Sequence, residues 1–271
     1  MHLNKKRKKN DNEDEIYFKT LRNKEIKFHK FPKYLNYKCI NDRNWEFLID
    51  WMIDLHDNAS FLQDTLFLSF HIILQYLMWW DYEKANVQLN ASTAISLASK
   101  IREVSEKHLS LKEYLCDGVF TQKDISENEY TLSIALDWNL DMVTEIDFLS
   151  RYGRHCTETE KTFAMFIIEK TFHNLYLVKM ILPSLRVMCA LYLTNMYYEN
   201  SKLWTEEIRI ESCHSKEDII KYSEYINNYL INKNEEYHKN KNKGIDINGT
   251  CYKKYSNVLK SLQYKDFIII I

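Results

Sequence analysis

Glycine and proline are nearly missing from this chain: its 271 residues hold four Gly and two Pro. Tight turns depend on residues that accept positive φ or fix φ near −65°. No segment alternates apolar and polar residues between turn dipeptides, so a sheet-built fold is excluded and an all-α one remains. Isolated glycines also exclude a phosphate-binding loop. The six cysteines (Cys39, Cys116, Cys156, Cys189, Cys213 and Cys251) never form a CxxC pair and read as reduced thiols of a nuclear or cytoplasmic protein. His155-Cys156 and Cys213-His214 are adjacent pairs without metal-ligand spacing. Unbroken apolar runs are lacking as well. Leu66 to Trp80 is interrupted by His71 and Gln75, and Met180 to Tyr198 by Arg186 and Asn195, so no membrane span or signal peptide is expected. No nucleophile, acid–base pair or metal cluster stands in a catalytic frame, and neither enzymatic activity nor a cofactor is expected.

Charge is abundant but uneven. Of the 37 basic and 38 acidic residues, 13 and 6 respectively lie in residues 1–43, which makes a basic arm on a mildly acidic body. An acidic body argues against nucleic-acid binding by the folded part. Lys5-Lys6-Arg7-Lys8-Lys9 reads either as a nuclear import signal or as a solvated tail.

Helix boundaries are legible. Ser60-x-x-Gln63, Ser110-x-x-Glu113, Thr144-x-x-Asp147, Thr157-x-x-Glu160 and Ser215-x-x-Asp218 have capping-box spacing, in which side chains satisfy the orphan N–H groups of a first turn. Gly118 and Gly153 stand where a left-handed residue would close a helix, and Pro183 suits a first turn. Apolar residues recur near every 3.6 positions: Phe47, Leu48, Trp51, Met52 and Leu55; Leu66, Phe70, Ile73 and Leu77; Leu185, Cys189, Leu193 and Tyr197. Leu132, Ile134, Leu136 and Trp138 are expected on a more buried helix. The pattern predicts a helix near 14–25, about five between 42 and 140 and about five between 145 and 265, with Asn232 to Gly249 as a solvated insertion. The predicted organisation is an N-terminal extension over 1–41 and two helical units over 42–141 and 142–271.

Gln88 to Lys100 carries small residues (Ala91, Ser92, Ala94, Ser96, Ala98 and Ser99) at helical intervals, which allows a helix backbone to run through the centre of a bundle. Together with Lys100, Glu129 and the motif Trp138-Asn139-Leu140, this stretch resembles the cyclin box, in the spacing of cyclins A and B. More weakly, Asp147 to Tyr152, Leu182-Pro183-Ser184, Trp204 and Tyr252 to Tyr255 resemble the second cyclin repeat. The resemblance implies two tandem five-helix repeats with an N-terminal helix. It implies a regulatory subunit that binds and activates a cyclin-dependent Ser/Thr kinase and acts in cell-cycle control. In that family the lysine ending the third helix of the box and a glutamate on the fifth hold the kinase C-helix. Lys100 and Glu129 take those places, beside apolar Ile101, Val104, Trp138 and Leu140, with Ile16 or Tyr17 on the N-terminal helix as a further contact.

The resemblance also implies a groove for Arg-x-Leu substrate peptides, at Phe47, Leu48, Trp51, Asp54 and Gln88. Asn44 stands where the family has the methionine of this groove, and the same stripe would equally serve as a packing face. The arginine and buried aspartate that the family pairs inside the box fall at Trp45 and Leu74, so both partners are replaced together. A cyclin-fold scaffold or transcription-complex adaptor that activates no kinase stays open as the alternative.

Overall fold

The computed structural model describes residues 2–29, 40–79, 86–104, 119–198, 205–242 and 250–261, and all regular structure among them is helical. The first part comprises α1 (His2–Phe28), α2 (Asp42–Ala59), α3 (Gln63–Trp79), α4 (Val87–Arg102) and α5 (Gln122–Ala135). The second begins with α6 (Glu145–Tyr152), α7 (Glu158–Thr171), α8 (Leu175–Met180) and α9 (Pro183–Tyr198). It continues with α10 (Glu206–Ser212), α11 (Lys216–Asn242), α12 (Thr250–Lys254) and α13 (Ser256–Ser261). Ser110, Glu113, Gly118 and Trp204 lie outside the described residues.

Small side chains put α4 at the centre of the first repeat. Every residue from Asn90 to Ser99 is buried, and the helix packs against α2, α3 and α5. In the second repeat α9 has that place, buried from Pro183 to Leu191 and packed against α6, α7, α10 and α11. Caps form at Thr144, Thr157 and Ser215 as their spacing predicts, with Asp218 N–H donating to Ser215 Oγ at 3.0 Å. Thr121 and Asp124 make a further capping box at the start of α5.

Several local expectations are corrected. Ser60 does not open α3; with φ 52° it closes α2 in the left-handed conformation, and its N–H returns to Asp57 and His56 carbonyls. Gly153 closes α6 with φ −85°, so positive φ is not what it supplies. A Cβ there would stand 2.7 Å from the Leu149 carbonyl oxygen, which explains glycine by close approach. The N-terminal helix is longer than predicted and begins at His2. Helix α11 runs through Asn232 to Asn242, where a solvated insertion was expected. Tyr237 stacks on Tyr252 at 4.5 Å and Lys233 pairs with Glu46 at 2.8 Å, and these contacts anchor a polar segment that could not hold itself. On α2 the core face is Trp45, Ile49, Met52 and Ile53, whereas Phe47 is 45% exposed and Trp51 half-buried. Helix α5 stops at Ala135 and buries only Ile125, Leu132 and Ser133; Ile134 and Trp138 point to solvent.

Polar contacts, most of them buried, tie the two repeats together. Trp45 Nε1 donates to the Phe172 carbonyl at 2.7 Å, His71 meets Glu145 at 3.0 Å, His173 meets Asp50 at 2.9 Å, and Gln63 donates to Glu169 at 2.6 Å. Arg186 pairs with the other oxygen of Glu145, donates to the Val178 and Ile181 carbonyls at 2.8 Å each, and lies 4.6 Å over the Phe172 ring. A buried ion pair is tolerable only when its partners are hydrogen-bonded in this way. Burial alone would raise the Glu145 carboxyl, but His71 and Arg186 outweigh it and hold the group down to about 2. Burial pulls Arg186 downward too, yet a guanidinium stays charged at any physiological pH. Trp45 and Leu74, both 0% exposed, fill the places of the replaced arginine and aspartate without an unpaired charge.

Candidate functional site

Helices α4 and α5 are locked side by side by Asn128, whose amide donates to Asn90 at 3.0 Å and Thr93 at 2.9 Å. That register places the neighbouring Glu129 against the exposed end of α4. One carboxylate oxygen receives the Ser96 hydroxyl at 2.6 Å and the other pairs with Lys100. The side chains are 12% and 37% exposed respectively, so the pair forms a rim rather than a core contact. Such a pair contributes about 0–1 kcal/mol to folding, which leaves its main consequence at the surface. The structure thus brings together the two predicted charges.

Apolar side chains stand on the same two helices as the pair and just past their ends. Val104, Tyr130, Ile134 and Trp138 are each half or more exposed, whereas Ile101 and Leu140 are half-buried and pack against the core. Trp138 is held out by the end of α5. Asp137 and Trp138 have φ of 51° and 56°, and Trp138 N–H donates to the Ser133 carbonyl at 2.8 Å. Left-handed backbone is uncommon for a bulky residue and persists where surrounding bonds fix it. Tyr130 meets the Trp138 ring edge-on at 6.4 Å. Exposed apolar groups on helices that also carry a partly desolvated ion pair are the makings of a protein-binding face.

Sequence reasoning misses exposed Tyr130 and Ile134, and also Ser96, which is fully buried and orients Glu129 from beneath. Ser96 had a signal, since it stands one helical turn before Lys100. Ile134 fits the buried stripe by its period, but the structure leaves it 50% exposed. Beyond Lys100, Arg102 binds Asp64 at 2.7 Å and Asp141 at 2.8 Å, and so ties the end of α4 to α3 and to the segment after Leu140. Helix α1 passes this point, with Lys24 at 3.7 Å from Asp141 and with Ile16 and Tyr17 exposed.

On α2, Phe47, Trp51 and Asp54 lie one and two turns apart, Phe47 and Asp54 exposed and Trp51 half-buried against the core, and Leu48 is buried. Gln88 is exposed in the first turn of α4, which packs on α2. Among the described residues no group of three or more His, Cys, Asp or Glu could hold a metal ion, and no helix is long and apolar enough to cross a membrane.

The family described as "Cyclin, N-terminal domain" matches residues 16–141, and "Cyclin, C-terminal domain" matches residues 143–257. The chain belongs to the cyclin family. It is similar to G2/mitotic-specific cyclin-2 of Medicago sativa, at 27% identity over 71% of this chain and 59% of that protein. Cyclin-B2-1 of Arabidopsis thaliana is 28% identical over 66% of this chain and 42% of its own length. G2/mitotic-specific cyclin-B2 of Gallus gallus is 24% identical over 79% and 57% respectively. The chain therefore spans about half the length of these relatives. A viral cyclin from herpesvirus saimiri shares the fold, with a TM-score of 0.63 and 21% identity over 78% of this chain and 96% of that one. Two tandem cyclin repeats thus account for the helices on either side of the buried seam.

Proposed function

We propose that this cyclin is the regulatory subunit of a cyclin-dependent Ser/Thr protein kinase and activates it by holding the kinase C-helix inward. The observation that carries this reading is the Lys100–Glu129 pair, seated on Ser96, with exposed Val104, Tyr130, Ile134 and Trp138 on the same helices or just past their ends. On docking, Lys100 would turn from Glu129 to backbone carbonyls at the edge of the C-helix, and Glu129 would accept backbone N–H groups. The exposed apolar side chains supply the dry centre of the contact. An inward C-helix completes the lysine–glutamate pair of the kinase that orients the ATP phosphates. The chain's own part is positional, with no group of its own in the chemistry. The relatives' designation as G2/mitotic-specific supports a role in cell division.

In the same reading Phe47, Leu48, Trp51, Asp54 and Gln88 receive the Arg-x-Leu motif of substrates. Exposed Phe47 and half-buried Trp51 offer an apolar floor, and exposed Asp54 offers a carboxylate for the cationic side chain. Titration of the purified chain into a monomeric cyclin-dependent kinase tests the proposal. Phosphate transfer should rise and saturate at a one-to-one ratio. Tight binding with no gain in transfer would instead make the protein a scaffold.

A further inference from the structure

Helix α1 meets the second repeat at the first turn of α9, 159 residues away in sequence. A helix start leaves N–H groups without intrahelical partners, and a carboxylate there gains from both hydrogen bonding and the helix dipole. Pro183 brings no N–H, and Ser184 presents the next one. Glu25 takes it: Ser184 N–H donates to Oε1 at 2.5 Å and the Ser184 hydroxyl to Oε2 at 2.9 Å. Glu25, only 1% exposed, therefore caps α9 from another helix.

Arg22, one turn earlier on α1, completes the cluster. Its Nη1 reaches Glu25 at 3.2 Å, the Ser184 hydroxyl, and His214 Nε2 at 2.9 Å. Burial and the Arg22 charge push His214 down to about 4, so at neutral pH its ring accepts from the guanidinium. Two turns before Glu25, Phe18 also rests on the second repeat, whereas the Phe28 carbonyl at the end of α1 accepts from Gln75 of α3. Phe18 packs edge-on against Phe148 at 5.7 Å and Tyr152 at 5.5 Å, and Arg151 covers its ring at 4.4 Å.

The outer face of the same helix carries exposed Ile16 and Tyr17. Lys24, two turns after Tyr17, lies at 3.7 Å from Asp141, which also binds Arg102 at the end of α4. Partial desolvation and the Asp147 carboxylate push the Tyr17 phenol upward, and Arg102, Asp141 and Asp64 act on it as well. The outer face of α1 thus borders the Arg102–Asp141 pair at the end of α4.

We infer that Glu25, assisted by Arg22, is a positioning residue that keys α1 to the second repeat and thereby sets Ile16 and Tyr17 on the side of the Arg102–Asp141 pair, as an extension of the kinase-binding face. This rests on the kinase-binding reading above. Its consequence is that integrity of the α9 cap and affinity for the kinase are coupled through α1.

A double-mutant cycle on the full chain tests it, with affinity for a monomeric cyclin-dependent kinase as the readout. Ile16→Ala with Tyr17→Ala should weaken binding about tenfold, Glu25→Ala by a similar factor, and all three together by no more than about threefold beyond either. Amide hydrogen exchange should rise in residues 16–28 of the Glu25→Ala variant while α3 and α4 stay protected. A triple variant whose loss is the product of the two separate losses would overturn the inference, as would full affinity in the Ile16/Tyr17 variant. If Glu25→Ala does not fold, Arg22→Met, which leaves the cap in place, decides by the same cycle. The kinase-binding reading fails separately, through unchanged affinity on charge reversal at Lys100 and Glu129.

Discussion

Trp45 and Phe172, 127 residues apart, are joined by a buried hydrogen bond of 2.7 Å from the indole N–H to the backbone carbonyl. The bond runs from the first helix of the first repeat to the end of α7 in the second. It lies beside a ring cluster in which Phe70 meets Phe172 at 4.8 Å and Phe67 meets it at 5.4 Å. An apolar residue at the usual arginine position would only have filled space; tryptophan also supplies a donor to the facing repeat. The departure from the family pattern has thus become part of the seam.

Substitution at Trp45 should therefore cost stability in two graded ways. Trp45→Phe retains most of the ring but leaves the Phe172 carbonyl without its indole donor, at a cost of about 1–3 kcal/mol. Trp45→Arg alone buries an unpaired charge and should cost about 3–5 kcal/mol. Adding Leu74→Asp should recover part of that loss by recreating an ion pair. Urea unfolding midpoints of the three variants provide the check. A double variant no better than Trp45→Arg would show that positions 45 and 74 are not coupled in this chain.

Acid should destabilise the protein in two stages. Burial, with Arg186 and His71 nearby, lowers His29 to about 3, and burial with Arg22 lowers His214 to about 4. Burial and Lys170 lower His173 as well. Below the ordinary histidine value of 6.5 the unfolded chain takes up protons that the folded chain refuses, so stability falls as pH drops from 6.5. His29 and His214 should each remove about 1–2 kcal/mol by pH 5. Glu145 acts in a lower window: its stabilisation is complete above the ordinary 4.5 and is lost as pH falls toward about 2. Urea midpoints measured from pH 7 to pH 5 should show the first slope, and His214→Gln should flatten it. An unchanged slope in that variant would remove His214 from the account.

Local features of the fold were legible because their causes are local. Small residues from Ala91 to Ser99 mark the buried α4, the Thr144 and Thr157 caps act within three residues, and Pro183 opens α9. The Glu145–Arg186–His71 group was not legible, since its members lie 41 and 74 residues apart and no periodicity links them. Arg186 was visible only as an interruption of an apolar run. The length of α11 depends on Tyr252 and Glu46, far from its polar end in sequence. At the site, resemblance supplied Lys100 and Glu129, and the geometry adds Ser96, Tyr130 and Ile134. Trp138 kept the apparent helical register of α5, but the left-handed turn at Asp137 takes it out of the core.

The α2 surface gives a third test. Phe47 is exposed, with Arg43 5.5 Å from its ring, so Phe47→Ala should alter stability by no more than about 0.5 kcal/mol. It should nonetheless slow phosphorylation of substrates bearing Arg-x-Leu while leaving a short peptide without that motif unaffected. Trp51→Ala should do the same, but Trp51 also packs against the core, so a thermal melt must accompany it. Equal slowing on both substrates would mean that these residues only support the fold.

Exchange of the two charges at the kinase-facing rim separates folding from binding. Lys100 and Glu129 pair with each other in the free chain, so Lys100→Glu combined with Glu129→Lys preserves an ion pair across α4 and α5. The Ser96 hydroxyl, which now donates to Glu129, can equally accept from an ammonium. Lysine near the end of α4 also interacts with the helix dipole, and reversal there costs only about 0.3–1 kcal/mol. Circular dichroism and the thermal melt should therefore stay near wild type. A docked kinase meets the opposite situation, because its carbonyls would face a carboxylate and its N–H groups an ammonium. Truncation of a buried, hydrogen-bonded charge at an interface costs on the order of 2–5 kcal/mol. That is roughly a thirtyfold to several-thousandfold loss of affinity, and reversal should exceed either alanine variant. Calorimetric titration with the kinase decides: a folded double variant that still binds with wild-type affinity would show that this pair does not face the kinase.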